Sequence, residues 1–280
     1  MELSPGVYHI EVPSRTLPPA KATNSYLIGA VELTLIDVPR TWDTAHNPIA
    51  RELERRGSPP LRRVLFTHSH MDHYEGVDDI PALAGAALMA HPVEGRVISA
   101  NLKTQRVEHD LQDGDRLRAD GITIRALFTP GHAPGHLCYY LEEPRFLISG
   151  DVILGFGTSV ISPPQGDMSE YLATLERLKQ LDLAMILPAH GPMIRDPYAK
   201  IQEYIEHRLR REAKVLDAVR QGHATPERIA RAIYGEEDFR VHGYDLLPRA
   251  ARMVLAHLLK LEREGRIHRT AGARVDAFAA

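Results

Sequence analysis

The chain has 280 residues, of which 44% are hydrophobic and 25% are charged, and its formal net charge at pH 7 is −3. A chain of this size buries a substantial core, as one large or two smaller domains. No apolar run approaches the roughly 20 residues that cross a bilayer, so we expect no association with a membrane. Residues 1–5 do not read as a secretory signal, and the single cysteine, Cys138, excludes an internal disulfide. These features favour a cytoplasmic location.

The first part of the chain predicts strands, then a helix. Short β-branched runs between residues 7 and 37 are separated by Gly and Pro, which is typical of hairpin strands. Residues 43–56 predict a helix that ends at Gly57 with cations in its last turn. His9 and His46 match no ligand pattern, and we expect both at the surface.

A dense group of polar side chains follows the apolar run 64–66. Residues 67–73 read T-H-x-H-x-D-H and contain His68, His70, Asp72 and His73. Neutral imidazole and carboxylate are ligands that zinc-like divalent metals select. Alternation at the end of a strand places His68 and His70 on one side, and a turn there can direct Asp72 and His73 to a second centre. The spacing therefore predicts room for two metal ions.

Farther along, residues 76–83 predict a short helix and residues 87–90 a strand. This alternation of helices and strands favours an α/β layered domain. Cys138 lies in a strand-like apolar run, and we expect it to pack in the core. The Gly-, Pro- and Ser-rich segment 152–167 is expected to border the substrate. Residues 168–181 predict an amphipathic helix.

The motif at 67–73 resembles the signature of the metallo-β-lactamase superfamily. Three later segments are similar to the family's remaining motifs and occur in the family's order: residues 129–132 read T-P-G-H, residues 149–151 read S-G-D, and residues 189–191 read A-H-G. The resemblance implies an α/β fold, the metallo-β-lactamase αββα sandwich of two mixed β-sheets flanked by helices. It also implies that His132, Asp151 and His190 complete the ligand set.

Two further residues are assessed through the same resemblance. In the family, a strand that ends like Ile36-Asp37 brings a carboxylate beneath the metal site. Asp37 is therefore either such a supporting residue or a residue that begins a turn. His136, four residues after His132, is expected to begin the next strand rather than to bind metal.

The C-terminal part of the chain has a different character. Residues 198–220, 225–234 and 248–264 predict three helices, and residues 266–269 with 274–275 predict a two-stranded hairpin, which together form a winged-helix arrangement. Residues 200–280 contain 16 Lys and Arg against 12 Asp and Glu. We expect a catalytic domain at 1–199 and a small basic winged-helix domain at 200–280.

A lactamase-like domain followed by a winged helix resembles the β-lactamase-like protein 2 group. The segments 149–158, 189–192 and 199–208 are similar to that group, so the resemblance covers nearly the whole chain. Its members include single-strand-preferring endoribonucleases and thioester hydrolases. The resemblance implies a hydrolase of this superfamily and leaves its substrate open.

The implied ligand set defines a binuclear centre. One metal ion is expected on His68, His70 and His132 and the other on Asp72, His73 and His190, with Asp151 bridging them. We expect two Zn²⁺ per chain, with Mn²⁺ or Fe²⁺ as alternatives. A hydroxide that bridges the metals would attack a carbonyl or phosphoryl centre. Asp72, as an acceptor of the attacking water's proton, and Asp151 are the predicted catalytic residues.

Three functions remain open from the sequence. The first is hydrolysis of an ester or thioester such as an acyl-CoA. The second is cleavage of single-stranded RNA, for which the basic tail is the motivation. The third is a metal-stabilised regulator that binds nucleic acid through the winged helix, which the complete ligand set disfavours. The tail could also cap the site or mediate a homodimer.

Overall fold

The structure is a computed structural model that describes residues 1–16, 18–235, 239–241, 244–270 and 277–280. The chain divides into two compact units. The first comprises residues 1–129, 133–159 and 181–200, and the second comprises residues 130–132, 160–180 and 201–280. The predicted boundary between residues 199 and 200 stays a prediction, because the second unit also contains two segments from earlier in the chain.

The first unit contains a seven-stranded mixed sheet whose strands follow chain order. Its strands are β1 (Glu2–Ser4), β2 (Val7–Pro13), β3 (Ala22–Ile28), β4 (Leu33–Ile36), β5 (Leu61–Leu65), β6 (Ala87–Ala90) and β7 (His109–Asp110). Strands β1 to β4 are antiparallel, and β4 to β7 are parallel. Because β4 and β5 are parallel, Asp37 and Thr67, which follow these strands, lie at the same edge of the sheet.

A second, five-stranded mixed sheet completes the first unit, in the order β12-β11-β10-β9-β8. Its strands are β8 (Arg116–Ala119), β9 (Ile122–Phe128), β10 (Leu137–Leu141), β11 (Phe146–Gly150) and β12 (Met185–Pro188). One core cluster joins the two sheets, for example Ile28 and Leu65 with Tyr139 and Ile148. The expected sandwich of two mixed sheets with flanking helices is confirmed.

Residues 43–56, which the sequence predicts to form one helix, contain two shorter elements. A short 3₁₀ turn, Thr44–His46, precedes helix α1 (Pro48–Arg55). Asn47 lies between them and is the N-cap of α1. Its side chain accepts hydrogen bonds from the backbone N–H groups of Ile49 and Ala50. Helix α1 packs through Ile49 and Leu53 on the outer face of the first sheet.

Two other segments of the first unit also depart from expectation. The predicted helix at 76–83 is a pair of 3₁₀ turns, Val77–Asp79 and Pro81–Leu83, since Pro81 lacks the N–H group that would continue a helix. Helix α2 (Pro92–Asn101) was not predicted from the sequence. Its Val93 and Val97 are exposed, so the helix lacks a clear apolar stripe.

The second unit contains helix α3 (Met168–Leu178), most of α4 (Pro197–Arg220), α5 (Pro226–Tyr234) and α6 (Leu247–Arg263). It also contains two short hairpins, β13 (Arg240–Val241) with β14 (Tyr244–Asp245), and β15 (His268–Arg269) with β16 (Phe278–Ala279). Val219, Ile229, Leu258 and Phe278 contribute to its core. The three predicted C-terminal helices are confirmed, and the expected hairpin strand at 274–275 lies outside the described residues.

Within the ranges described above, no helix combines the length and hydrophobicity needed to cross a membrane. Cys138 is buried in β10, which confirms that it packs in the core. The cytoplasmic location stays a prediction.

Candidate metal centre

The T-H-x-H-x-D-H segment lies where β5 leaves the first sheet. The chain is extended at His70 and then forms a 3₁₀ turn, Met71–His73. His68 and His70 precede this turn, and Asp72 and His73 lie in it, as the sequence predicted. His68 and His73 are both fully buried, so the segment is part of the interior rather than a solvated loop.

The predicted ligands form two groups. His68, His70, His132 and Asp151 make up the first, and Asp72, His73 and His190 make up the second. Each residue offers one ligand atom, and within a group these atoms all lie within 4.8 Å of one another. The groups resemble the division expected from the sequence, with Asp151 placed in the first group, and the assignment of these residues as ligands stays a prediction.

Asp151 also contacts the second group. Its Oδ1 lies 3.2 Å from His190 Nε2 and 3.5 Å from His73 Nε2. The Asp72 carboxylate is near the same two imidazoles: its Oδ2 lies 3.5 Å from His190 Nε2, and its Oδ1 lies 3.9 Å from His73 Nε2. A carboxylate that touches both groups has the position expected of a bridging ligand.

Three of the predicted histidine ligands form a hydrogen bond through Nδ1, so Nε2 is the ring nitrogen that can face a metal ion. His190 Nδ1 lies 3.0 Å from the carbonyl of Ala22, and His132 Nδ1 lies 2.8 Å from the carbonyl of Val160. A carbonyl can only accept, so each Nδ1 donates its proton, and in the neutral imidazole the lone pair is on Nε2. His73 Nδ1 donates to Asp37 in the same way. Such hydrogen bonds fix the tautomer and ring orientation of metal-binding histidines.

These side chains suit a divalent transition metal. His73 Nε2 is buried, and no hydrogen-bond partner reaches it among the described residues. His68 Nε2 and His70 Nδ1 lie 2.8 Å apart, which brings two imidazole nitrogens to one place. Nitrogen and carboxylate oxygen donors without thiolates are used by zinc, manganese and iron alike.

The charges of the centre are closely coupled. Burial acts to lower the pKa of His73, but the carboxylates of Asp37 and Asp151 outweigh it and hold that pKa well above its ordinary value. Burial acts to raise the pKa of Asp151, yet His190 and His73 hold it well below its usual range. Protons on these imidazoles would balance the buried carboxylates, and a bound divalent cation would replace them.

Asp37 holds residues of the candidate metal centre in place through hydrogen bonds. It is buried, its φ is +58°, and it follows β4 at the edge where Thr67 follows β5. Its Oδ1 accepts a hydrogen bond of 2.8 Å from the backbone N–H of Thr67, and its Oδ2 lies 2.8 Å from both Thr67 Oγ1 and His73 Nδ1. Of the two roles considered for Asp37, the supporting one agrees with these contacts.

Glu94 is a supporting residue that sequence reasoning missed. It lies in the first turn of α2, is 2% exposed, and accepts hydrogen bonds from the backbone N–H groups of Ser69 (2.9 Å) and Gly135 (2.7 Å). It thereby ties the loop of His68 and His70 to the segment after the T-P-G-H motif. Its only local signal is an acidic residue in the first turn of a helix, and that helix was itself unpredicted.

The loop that carries His190 is held by β3. The Asn24 amide donates to the carbonyls of Pro188 and Gly191, and the Tyr26 hydroxyl donates to Pro188 as well. His9 Nε2 lies 2.8 Å from Asn24 Oδ1 and is partly buried, so the expectation that His9 is a surface residue was wrong. This contact follows from the antiparallel pairing of β2 with β3.

His136 supports the backbone at Asp151. It is fully buried, and the expectation that it does not bind metal stays a prediction. Its Nδ1 lies 2.9 Å from Thr129 Oγ1, and its Nε2 accepts a hydrogen bond of 3.3 Å from the backbone N–H of Asp151. Gly150 allows this approach: its φ is +49°, and a Cβ there would lie 2.5 Å from His136 Nε2.

A pocket of about 280 Å³ lies beside Asp72 in the first unit. Its lining includes Arg15, Arg40, Trp42, Asp72 and Glu75. Only Asp72 among these belongs to the predicted ligand set. The expectation that residues 152–167 border the substrate stays a prediction.

Comparison with known proteins identifies the family. The profile of the metallo-β-lactamase superfamily matches residues 18–190, a segment that contains all seven predicted ligands. The chain belongs to the metallo-β-lactamase superfamily. The profile of the β-lactamase-associated winged-helix domain matches residues 225–274. The expected superfamily hydrolase with a C-terminal winged helix is therefore confirmed.

Curated relatives of this superfamily member come from fungi and an animal. Lactamase-like protein vrtG of Penicillium aethiopicum is 34% identical over 84% of this chain and 75% of its own length. The atrochrysone carboxyl ACP thioesterase of Aspergillus chevalieri is 32% identical over 77% of this chain and 68% of its own. The β-lactamase-like protein 2 homolog of Caenorhabditis elegans is 31% identical over 72% and 66%, which confirms the resemblance to that group.

Solved structures share the fold over the whole chain. A metallo-β-lactamase family protein from Thermus thermophilus is 25% identical, with a TM-score of 0.79 over 99% of both chains. A β-lactamase domain protein from Burkholderia ambifaria is 21% identical, with a TM-score of 0.85 over 100% of this chain and 92% of that chain. The second likeness concerns the fold alone.

Proposed function

We propose that this superfamily member is a binuclear zinc hydrolase that cleaves a carboxylic thioester or ester. The observation that carries the proposal is the pair of ligand groups, with Asp151 in one group and in contact with the histidines of the other. In the proposed centre His68, His70 and His132 would hold one ion and Asp72, His73 and His190 would hold the second, with Asp151 as a carboxylate that serves both. Two divalent cations supply Lewis acidity, which activates water near neutral pH and polarises a carbonyl.

The relatives support thioester chemistry. Two of them, from Aspergillus chevalieri and Paecilomyces divaricatus, are named atrochrysone carboxyl ACP thioesterases, and each is 32% identical to this chain. The leaving group supports the same choice. A thiol has an ordinary pKa near 8.5, so it departs as a thiolate more readily than an alcohol departs as an alkoxide.

The protein's own groups fill three roles in this proposal. Asp37 keeps the proton of His73 on Nδ1 and so presents Nε2 to the centre. His136 holds the backbone at Asp151, which fixes the bridging carboxylate. Asp72 lines the pocket, and we assign it the further role of accepting a proton from the attacking water.

Metal analysis and turnover test the proposal together. We expect about two Zn²⁺ per chain and release of free thiol from acyl-CoA substrates, with Asp151→Ala and His70→Ala each lowering kcat by at least about 1,000-fold. His46→Ala is the matched control, because His46 is an exposed histidine that pairs with Asp43 outside both ligand groups. Purified protein without stoichiometric metal, or full activity in Asp151→Ala, would contradict the proposal.

A labelled single-stranded RNA in the same assay separates thioester from phosphodiester hydrolysis. Cleavage of RNA with a steep salt dependence, and no thiol release, would favour the nuclease instead. Neither an RNA substrate nor a homodimer is supported by the comparisons, and both remain predictions. The same holds for Mn²⁺ or Fe²⁺ in place of zinc, and for the nucleic-acid regulator.

A further inference from the structure

The pocket beside Asp72 is lined by chemically different groups. Asp72 and Glu75 supply carboxylates, whereas Arg15 and Arg40 supply guanidinium groups and Trp42 supplies an aromatic face. Trp42 is 61% exposed, which is unusual for so large an apolar side chain. None of the sequence motifs that define the metal ligands includes Arg15 or Trp42.

A backbone contact brings Arg15 and Trp42 together. Ser14 and Thr41 form an isolated antiparallel bridge, which places Arg15 and Trp42 at diagonal positions across it, within reach of long and aromatic side chains. Ser14 is fixed further by a hydrogen bond of 2.8 Å between its Oγ and Thr23 Oγ1. The Arg15 guanidinium lies over the Trp42 ring, 5.2 Å from the ring centroid, which is within the range of a cation–π contact.

The two arginines of the pocket differ in their charge balance. Arg40 donates two hydrogen bonds to the Asp79 carboxylate, at 2.6 and 3.0 Å, and is neutralised there. Arg15 forms no ion pair with any residue of the described ranges, and its contact is the Trp42 ring. A guanidinium without a carboxylate partner, held on an aromatic face, is prepared to bind an anion on a planar group.

We infer that the pocket selects acyl groups that are planar and carry an acidic group remote from the thioester. This inference rests on the proposed function, because the thioester end is placed at Asp72. The carboxylates of Asp72 and Glu75 repel an anion from the thioester end, whereas the Arg15 guanidinium on Trp42 attracts it. The planar part of the acyl group stacks on Trp42, and its carboxylate or phenolate accepts hydrogen bonds from Arg15.

Three N-acetylcysteamine thioesters test this selectivity: 4-carboxybenzoyl, benzoyl and cyclohexanecarbonyl. The wild type should prefer the 4-carboxybenzoyl thioester in kcat/KM. Arg15→Gln should raise KM for it by about 10-fold, the usual loss for a charge-assisted hydrogen bond, with kcat little changed and the benzoyl thioester unaffected.

Trp42→Ala should lower kcat/KM for the benzoyl thioester by about 5-fold relative to the cyclohexanecarbonyl thioester. Arg62→Gln is the control, because Arg62 is an exposed arginine that pairs with Glu32.

Binding without turnover gives a second readout. Trp42 is the only tryptophan in the chain, so selectively excited tryptophan fluorescence reports on this pocket alone. The uncleavable 4-carbamoylbenzoate should quench it saturably, neutral benzamide should quench it less, and Arg15→Gln should weaken the first titration by about 10-fold.

The two readouts separate failure of this inference from failure of the proposed function. Thioester turnover in which Arg15→Gln changes charged and neutral substrates alike, or quenching that Arg15→Gln leaves intact, would overturn the inference. Absence of any thioester turnover by the metal-loaded wild type would overturn the proposed function. The fluorescence titration would still decide whether Arg15 and Trp42 bind planar anions.

Discussion

At the scale of single residues, Asp37 shows how one buried carboxylate can organise both a loop and a ligand. It accepts hydrogen bonds from the backbone and the hydroxyl of Thr67, and from His73 Nδ1. The same side chain therefore fixes the start of the metal loop and the tautomer of a ligand in it. Residues in such positions affect metal binding without contacting the metal.

Asp37→Asn should lower the affinity for metal. The amide keeps the shape of the side chain but removes the negative charge that favours the Nδ1–H tautomer of His73, so we expect a loss of about 10- to 100-fold. Competition with a chromophoric chelator measures this directly and does not depend on turnover.

Asp43→Asn is the matched control for that measurement, since Asp43 is an exposed aspartate that bonds to His46 outside the centre. Equal metal affinity of the Asp37→Asn variant and the wild type would show that Asp37 serves only the turn after β4.

At the scale of elements, helices α4 and α6 of the second unit are joined by buried charges. Glu212 of α4 is 4% exposed and lies 2.8 Å from Lys260 Nζ of α6 and 3.0 Å from Arg266. His257 of α6 is also buried, 3.9 Å from Glu212. A buried carboxylate with these partners stabilises the helix pair only while it is ionised.

This cluster predicts that the second unit loses stability in acid. Burial acts to raise the pKa of Glu212, but His257 and Lys260 lower it to about 2. Its contribution is therefore complete above the ordinary pKa of 4.5 and is lost as the pH falls towards 2. Burial lowers the pKa of His257 below its ordinary 6.5, so the unfolded chain takes up that proton first and stability already declines below pH 6.5.

Urea unfolding at pH 7, 5.5 and 4 measures these changes. Glu212→Gln should cost about 1–3 kcal/mol at pH 7, because it removes the buried carboxylate that faces the Lys260 ammonium at 2.8 Å. Glu206→Gln is the control, since Glu206 is an exposed glutamate of the same helix that pairs with Arg210. A stability that is independent of pH between 7 and 4 would contradict the assignment.

At the scale of the whole molecule, the second unit is built from distant segments of the chain. Asp167, the N-cap of α3, forms an ion pair of 2.7 Å with Arg263 of α6. Tyr171 of α3 lies beneath the guanidinium of Arg208 of α4, and Lys179 donates to Gln202. The segment 160–180 is thus joined to the C-terminal helices by charge and aromatic contacts.

A chain that ends at residue 196 should therefore be less stable than the full chain. It loses every contact of α3 with α4 and α6, so we expect the Tm to fall by at least about 5 °C and hydrogen exchange in residues 168–178 to become faster. Arg263→Gln in the full chain is the control that removes the ion pair with Asp167 and the hydrogen bond to Ser169 but keeps both C-terminal helices. An unchanged Tm and unchanged metal content in the short chain would instead support a domain boundary at residue 199.

The sequence by itself determined the fold class and was sufficient to predict the seven ligands. Each ligand lies in a short motif directly after an apolar strand, and such motifs are visible without any knowledge of contacts. The three C-terminal helices were predicted for a similar reason, because apolar spacing and caps are local signals. Helix α2 was missed because its exposed valines and internal Gly95 weaken that pattern.

Only the tertiary structure decided which residues support the centre and which line the pocket. Asn24 contacts the loop of His190 across more than 160 residues, and Glu94 reaches Gly135 across 41. Arg15 meets Trp42 because Ser14 and Thr41 form a bridge. A side chain whose role depends on such a distant partner leaves no periodic or motif signal, since the contact arises only when the sheets and loops have packed.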